Sequence, residues 1–155
     1  MEAALAKEAS QDETEFSVSS LDHISIAVPN LEKASALYRE KFGCHVSAPL
    51  EVSEQGIRIA YVYLGNAKLE LMEPFGDRSS IAKFIENNPA GGLHHFCLTT
   101  LDVDTAAKSV KDEGMRVLGG GSPKAGHHGR KLFFIHPKDT FGSLIEIEEA
   151  EPEKN

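Results

Sequence analysis

At 155 residues, with 41% hydrophobic and 26% charged side chains, the chain is long enough for one domain with a buried core. Its formal net charge of −8 argues against general nucleic-acid binding, and no apolar run approaches the roughly 20 residues that cross a bilayer. Cys44 and Cys97 have neither the spacing of a zinc site nor enough partners for a disulfide framework, and read as free thiols.

The first stretch, MEAALAKEASQDETEFSVSS, is acidic and polar and lacks arginine. It is not a secretory signal, is a poor match to a transit peptide, and reads as a disordered tail over residues 1–20. From Asp22, DHISIAV alternates: Ile24, Ile26 and Val28 share one face, and His23, Ser25 and Ala27 the other, as in a half-buried strand. LEKASALYREKF places Leu31, Ala34, Leu37, Tyr38 and Phe42 at helical spacing, capped by Asn30 and stopped by Gly43. CHVSAPLEV (interrupted by Pro49), IRIAYVYL and AKLELME read as strands, with a turn at Gly65-Asn66. The order is β-α-β-β-β. Residues 74–92 form a connection in which SSIAKFIENNP predicts a short helix, capped by Ser79 or Ser80 and stopped before Pro89. HHFCLT is then a strand, and AAKSVKDEG a helix capped by Asp102 or Asp104 and ended by Gly114. MRVLGG, KLFFIHP and SLIEIEE read as three more strands, so the order repeats.

The halves also align residue by residue. Leu21, His23 and Ile24 correspond to Leu93, His95 and Phe96, and Leu69-Glu70-Leu71 to Ile145-Glu146-Ile147. This is an internal duplication. His95 rather than His94 matches His23, and alternation places His95 with Cys97 and Thr99 on the polar face. Glu70 and Glu146 each point away from aliphatic neighbours. Taken singly, a strand histidine or an alternating glutamate is most often solvated or packed. The same pair at equivalent positions in two modules points instead to one shared site. Two imidazoles and two carboxylates suit a divalent transition metal such as Co, Ni, Mn, Fe or Zn better than Ca or Mg. The expected architecture is α+β. Two tandem βαβββ modules (about 21–73 and 93–149) form a curved, partly open mixed sheet around a metal site, in one domain over residues 21–150. Residues 151–155 are a second short tail.

The stretches LDHISIAV, SEQGI, LGNAKLELMEPFG, SSIAKFIENNPAGGLHHFC and FIHPKDTFGSLIEIE resemble the vicinal oxygen chelate superfamily, which includes glyoxalases, bleomycin resistance proteins and dioxygenases. Within it they resemble most the methylmalonyl-CoA epimerases. The resemblance covers most of the domain from about Leu21 to Ala150 and leaves out the acidic tail. It implies a divalent metal, Co2+ first, with Mn2+, Ni2+ or Zn2+ as options, held by His23, Glu70, His95 and Glu146. It further implies Glu54 and Glu146 as the acid-base pair that removes the α-proton of an acyl-CoA substrate from one face and returns it to the other, through a metal-stabilised enolate. Glu54 on its own residues would pass for a solvated turn glutamate beside Glu51. A homodimer fits the family. The implied compartment is the mitochondrial matrix in a eukaryote, although no targeting segment is visible, and the cytoplasm in a bacterium.

SPKAGHHGRKLFFIHPKD carries Lys124, Arg130, Lys131 and Lys138, a local basic patch able to meet phosphates despite the acidic whole. His94, His127, His128 and His136 are not expected as ligands. Arg58 and Glu73 depart from the family pattern, where a small apolar and a less acidic residue are usual. Three rival readings share the scaffold. A glyoxalase I-like lyase acting on a glutathione hemithioacetal lacks the combination of SEQGI with HPKDTFG. An extradiol dioxygenase needs no fourth ligand such as Glu70. A non-catalytic binding module needs no ligand quartet.

Overall fold

The computed structural model describes residues 16–151. The first module runs through β1 (Val18–Ala27), α1 (Leu31–Ala36, continued by a π-helical turn over Leu37–Lys41), β2 (His45–Val46), β3 (Leu50–Val52), β4 (Ile57–Tyr63) and β5 (Lys68–Pro74). Helix α2 (Ala82–Asn87) then leads to β6 (Gly92–Thr100), α3 (Val103–Asp112), β7 (Lys124–Ala125), β8 (Lys131–Ile135) and β9 (Ile145–Glu149). The strands make one open mixed sheet in the order β2-β4-β5-β1-β6-β9-β8-β7, with β3 beside β4. This is the duplicated α+β architecture that the repeat predicts.

The duplication is visible in the register. In each module the first strand runs parallel to the last: Ser25 pairs with Glu70, and Cys97 with Glu146. The paired histidine therefore sits two residues before the partner of the glutamate in both modules, on the same face of the pleat. The modules join through antiparallel β1 and β6, where Ser25 pairs with His95 and His23 with Cys97. This places the polar faces of the two modules side by side.

Apolar clusters hold the rest. Leu31 of α1 packs with Val28, Ala60, Val62 and Leu71 behind the first module. The buried stripe of α3 (Val103, Ala106, Ala107 and Val110) packs with Phe133, Ile135 and Ile147 behind the second. A third cluster, with Ala27, Ile57, Ile59, Met72 and Ile81, fills one end of the inner side. Asn30 and Asp102 cap their helices by accepting from the amides of Lys33 and Thr105.

Several expectations are corrected. Strand β1 begins at Val18, where Val18 pairs with Thr100, so the last residues assigned to the N-terminal tail are sheet. The remainder of both tails, residues 1–15 and 152–155, lies outside the described residues. MRVLGG is not a strand: only Val117 makes a bridge, to Ile135, and Gly119, Gly120 and Gly121 all have positive φ, which breaks an extended run. The π-helical turn, closed by the Phe42 amide donating to the Leu37 carbonyl, carries Phe42 off the buried stripe and leaves it 62% exposed, while Leu37 lies beside the stripe and is 44% exposed. Neither serine is the N-cap of α2. That position is Ile81, whose amide donates to Ser79 Oγ at 3.3 Å.

The two departures from the family pattern meet each other. Arg58 and Glu73 are cross-strand partners in β4 and β5, with Arg58 Nη1 3.8 Å from Glu73 Oε2. The other oxygen, Glu73 Oε1, accepts from the Leu31 amide at 3.1 Å, one of the free N–H groups that open α1. Replacing Glu73 with Ala is expected to lower stability by about 1 kcal/mol. In a urea-unfolding double-mutant cycle, adding Arg58→Ala should cost less than it does in the wild-type background.

Candidate metal centre and active site

His23, Glu70, His95 and Glu146 come from four different strands, β1, β5, β6 and β9, and are 5%, 7%, 8% and 5% exposed. The structure brings all four together. One ligating atom from each of His23, Glu70 and His95 falls within 4.8 Å of the others. Glu146 Oε1 lies 3.2 Å from both His23 Nε2 and His95 Nε2. Glu70 Oε1 is 4.0 Å from His23 Nε2. Ser25, fully buried between the modules, donates from Oγ to Glu70 Oε1 at 2.9 Å and lies 3.0 Å from His95 Nε2.

The outward nitrogens of the two rings are also held. Asp22 Oδ2 accepts from His23 Nδ1 at 2.7 Å and pairs with Lys68 Nζ at 3.2 Å. His95 Nδ1 lies 2.8 Å from His94 Nδ1. The rings of His23 and His95 meet edge-on, with centroids 5.8 Å apart.

The electrostatics call for positive charge at the centre. Burial alone would push the His23 pKa down, but its hydrogen bond to Asp22 and the nearby Glu146 and Glu70 carboxylates raise it to about 10. Burial opposes ionisation of Glu146, yet His23 and His95 hold it down to about 2. His23 Nε2 is buried and makes no hydrogen bond, its approach to Glu146 being poorly aligned. A buried nitrogen without a hydrogen bond, aimed at two carboxylates and beside a second imidazole, fits a divalent transition metal. These four residues are the ones that would hold it.

Other side chains enclose the centre. The cavity around it measures about 70 Å³ and is bordered by Gln55, Tyr61, His128, Arg130, Phe134 and Glu148 among others. The Tyr61 hydroxyl of the first module meets His127 Nε2 of the second at 3.1 Å. Glu148, only 1% exposed, is 2.8 Å from Arg130 Nη2 and 3.2 Å from His128 Nε2. Burial and Glu146 push its pKa up to about 7, against the pull of Arg130. Sequence reasoning missed Glu148, although alternation from Glu146 places it on the same face. Cys97 is fully buried against Glu148, and burial pushes its thiol pKa up, so it is unreactive.

Glu54 is not among the residues around this cavity. It lies exposed in the turn between β3 and β4, on an adjoining cleft of about 630 Å³ whose walls include Gln55 and His127, which also border the central cavity. Gly56 fixes this turn: its φ is +64°, and a Cβ there would sit 2.6 Å from the Arg78 carbonyl. A second cleft of about 550 Å³ reaches His95 over an apolar floor that includes Ile57, Met72, Leu132 and Phe134, with Lys124 also on its wall. Of the other basic residues read as a patch, Lys131 pairs with Asp104, and Arg130 with Glu148 and Glu151.

The sequence profile of the Glyoxalase/Bleomycin resistance protein/Dioxygenase superfamily matches residues 22–134. The chain is 46% identical over 130 residues to the ethylmalonyl-CoA/methylmalonyl-CoA epimerase of Cereibacter sphaeroides, covering 84% of this chain and 97% of that protein. The chain belongs to the methylmalonyl-CoA epimerase family. The mitochondrial methylmalonyl-CoA epimerase of Homo sapiens is 42% identical, over 84% of this chain and 73% of that one. Among solved structures, a variant of the Streptomyces coelicolor methylmalonyl-CoA epimerase in complex with 2-nitronate-propionyl-CoA superposes with a TM-score of 0.78 at 34% identity, covering 88% of this chain and all of the other.

The serine bridge gives a direct test. Ser25→Ala leaves Glu70 and His95 each short of a buried partner, and is expected to destabilise the metal-free protein by about 1–3 kcal/mol in urea unfolding. Added Co2+ should recover most of that loss by binding the folded state alone.

Proposed function

We propose that the protein interconverts the (2R) and (2S) epimers of methylmalonyl-CoA by removing the α-proton on one face and returning it on the other. The observation that carries this reading is the convergence of His23, Glu70, His95 and Glu146 beside substrate-sized clefts, with a buried His23 nitrogen left without a hydrogen bond. Relatives named as epimerases of this substrate support it, as does the Streptomyces structure in complex with 2-nitronate-propionyl-CoA, whose planar nitronate carbon matches the shape of a deprotonated substrate.

His23, Glu70, His95 and Glu146 would hold a divalent cation, Co2+ first and Mn2+, Ni2+ or Zn2+ as alternatives, which would supply Lewis-acid stabilisation of the enolate. The chain's own groups do the rest. Glu146, fixed between two imidazoles, takes the proton on the inner side as a carboxylate and delivers one there once protonated. Glu54 serves the opposite face from the turn that borders the adjoining cleft, as the resemblance implies. The apolar floor excludes water from the carbanion carbon and takes the 2-alkyl group. The Cereibacter relative is named for ethylmalonyl-CoA as well, so the tolerated alkyl length belongs to the same proposal.

We further propose a homodimer, supported by exposed Leu21 and Leu93 on the outer side of the joined strands, 39% and 72% exposed. The proposed compartment is the mitochondrial matrix in a eukaryotic host or the cytoplasm in a bacterial one. The animal and Dictyostelium discoideum relatives named as mitochondrial support the former.

The test is exchange of the α-proton of methylmalonyl-CoA in deuterated water, followed by NMR on Co2+-loaded protein. Rapid exchange with both epimers appearing is expected. Glu54→Gln should abolish turnover while Co2+ stays bound, and an active Glu54→Gln protein would remove Glu54 from the mechanism. Absence of exchange with Co2+ bound would overturn the epimerase reading, and glutathione hemithioacetals would be assayed next.

A further inference from the structure

The residue before each of the two inner histidines touches that histidine's Nδ1. In the first module Asp22 Oδ2 lies 2.7 Å from His23 Nδ1. In the second, His94 Nδ1 lies 2.8 Å from His95 Nδ1. Neighbours along a strand ordinarily point to opposite faces, so the recurrence of a contact from position i−1 in both modules is a feature of the duplication. The chemistry of the two contacts differs. A carboxylate can only accept, and so fixes the His23 proton on Nδ1. Two imidazole nitrogens can share a hydrogen bond only when one carries hydrogen and the other a lone pair. His95 Nε2 faces inward, 3.2 Å from Glu146 Oε1, and needs a lone pair to bind a cation. The His95 hydrogen must then sit on Nδ1 and donate to His94, which accepts through Nδ1. His94 is itself braced for this. Its ring packs edge-on against Phe84 of α2, with centroids 5.0 Å apart, and half-buried surroundings hold it beside His95.

From this geometry we propose that His94 is the positioning residue for His95, holding it in the tautomer and ring orientation that present Nε2 to the cation, as Asp22 does for His23. The pair of adjacent histidines is therefore one ligand and its acceptor. This rests on the metal-centre reading above. It adds that the second module orients its ligand through a neutral ring nitrogen where the first uses a carboxylate.

The experiment measures Co2+ dissociation constants and the visible ligand-field spectrum of the Co2+-loaded full-length protein for wild type, His95→Ala, His94→Phe and His94→Asn. His94→Phe keeps a ring against Phe84 but offers no acceptor, and His94→Asn restores one in its side-chain carbonyl. His94→Phe is expected to weaken Co2+ binding about 10–100-fold and to shift the ligand-field bands, with His94→Asn recovering most of both. His95→Ala should lose more than either. Tight binding with an unchanged spectrum in His94→Phe, alongside loss in His95→Ala, overturns the role of His94 and leaves the metal centre standing. Equal loss in the Phe and Asn variants also overturns it, because packing rather than the acceptor then decides. Failure of the wild type to bind Co2+ overturns the metal centre and this inference with it.

Discussion

The antiparallel pairing of β1 with β6 is the constraint on which everything else rests. It fixes Ser25 opposite His95 and His23 opposite Cys97, and so decides which inner-face positions of the two modules can meet. The parallel pairs β1/β5 and β6/β9 then bring in the glutamates at matching offsets. A slip of one residue in any of the three pairings would send a ligand to the helix-covered side of the sheet. The long β1 ladder also shows why the strand reaches back to Val18: each added pair at the seam strengthens the register on which the centre depends.

Burying two carboxylates and two imidazoles is costly unless the charges are matched. Here they are held in part by one another, by Ser25 on the inner side, and by Asp22, Lys68 and His94 on the outer side. The polar cluster sits at the seam, apart from the two helix-backed apolar clusters, while the third, with Ile57 and Met72, borders it on the inner side. The fold supplies rigidity from the outside and gathers two imidazoles and two carboxylates on the inside.

Much of this was legible in the sequence. Period-two alternation and the repeated glycine and cap positions were sufficient to recover the duplication, most of the element order, and the placement of His95 rather than His94 on the buried inner face. What was not legible depended on geometry that a pattern cannot carry. The single extra residue of the π-helical turn moved Phe42 outward, and the positive-φ glycines in and just after MRVLGG broke the strand expected there. Asp22 and His94 were invisible as contacts because strict alternation sends them away from their neighbours. Arg58 and Glu73 looked like separate anomalies until the β4/β5 register made them one pair. Glu54 rests on resemblance, since its turn is exposed and shows no local feature beyond Gly56.

The split of the ligand set between modules has a further meaning. Each half alone owns one histidine and one glutamate, which makes a weak bidentate site. Joined by the hydrogen bonds of the seam, the second pair would meet a cation held by the first at a high effective concentration, so affinity would rise without any new kind of contact. On the proposed metal-centre reading, cation affinity would gauge how well the two halves are docked. A substitution along the β1–β6 seam that loosened their docking would then register at the four clustered residues before it registered in the helices behind.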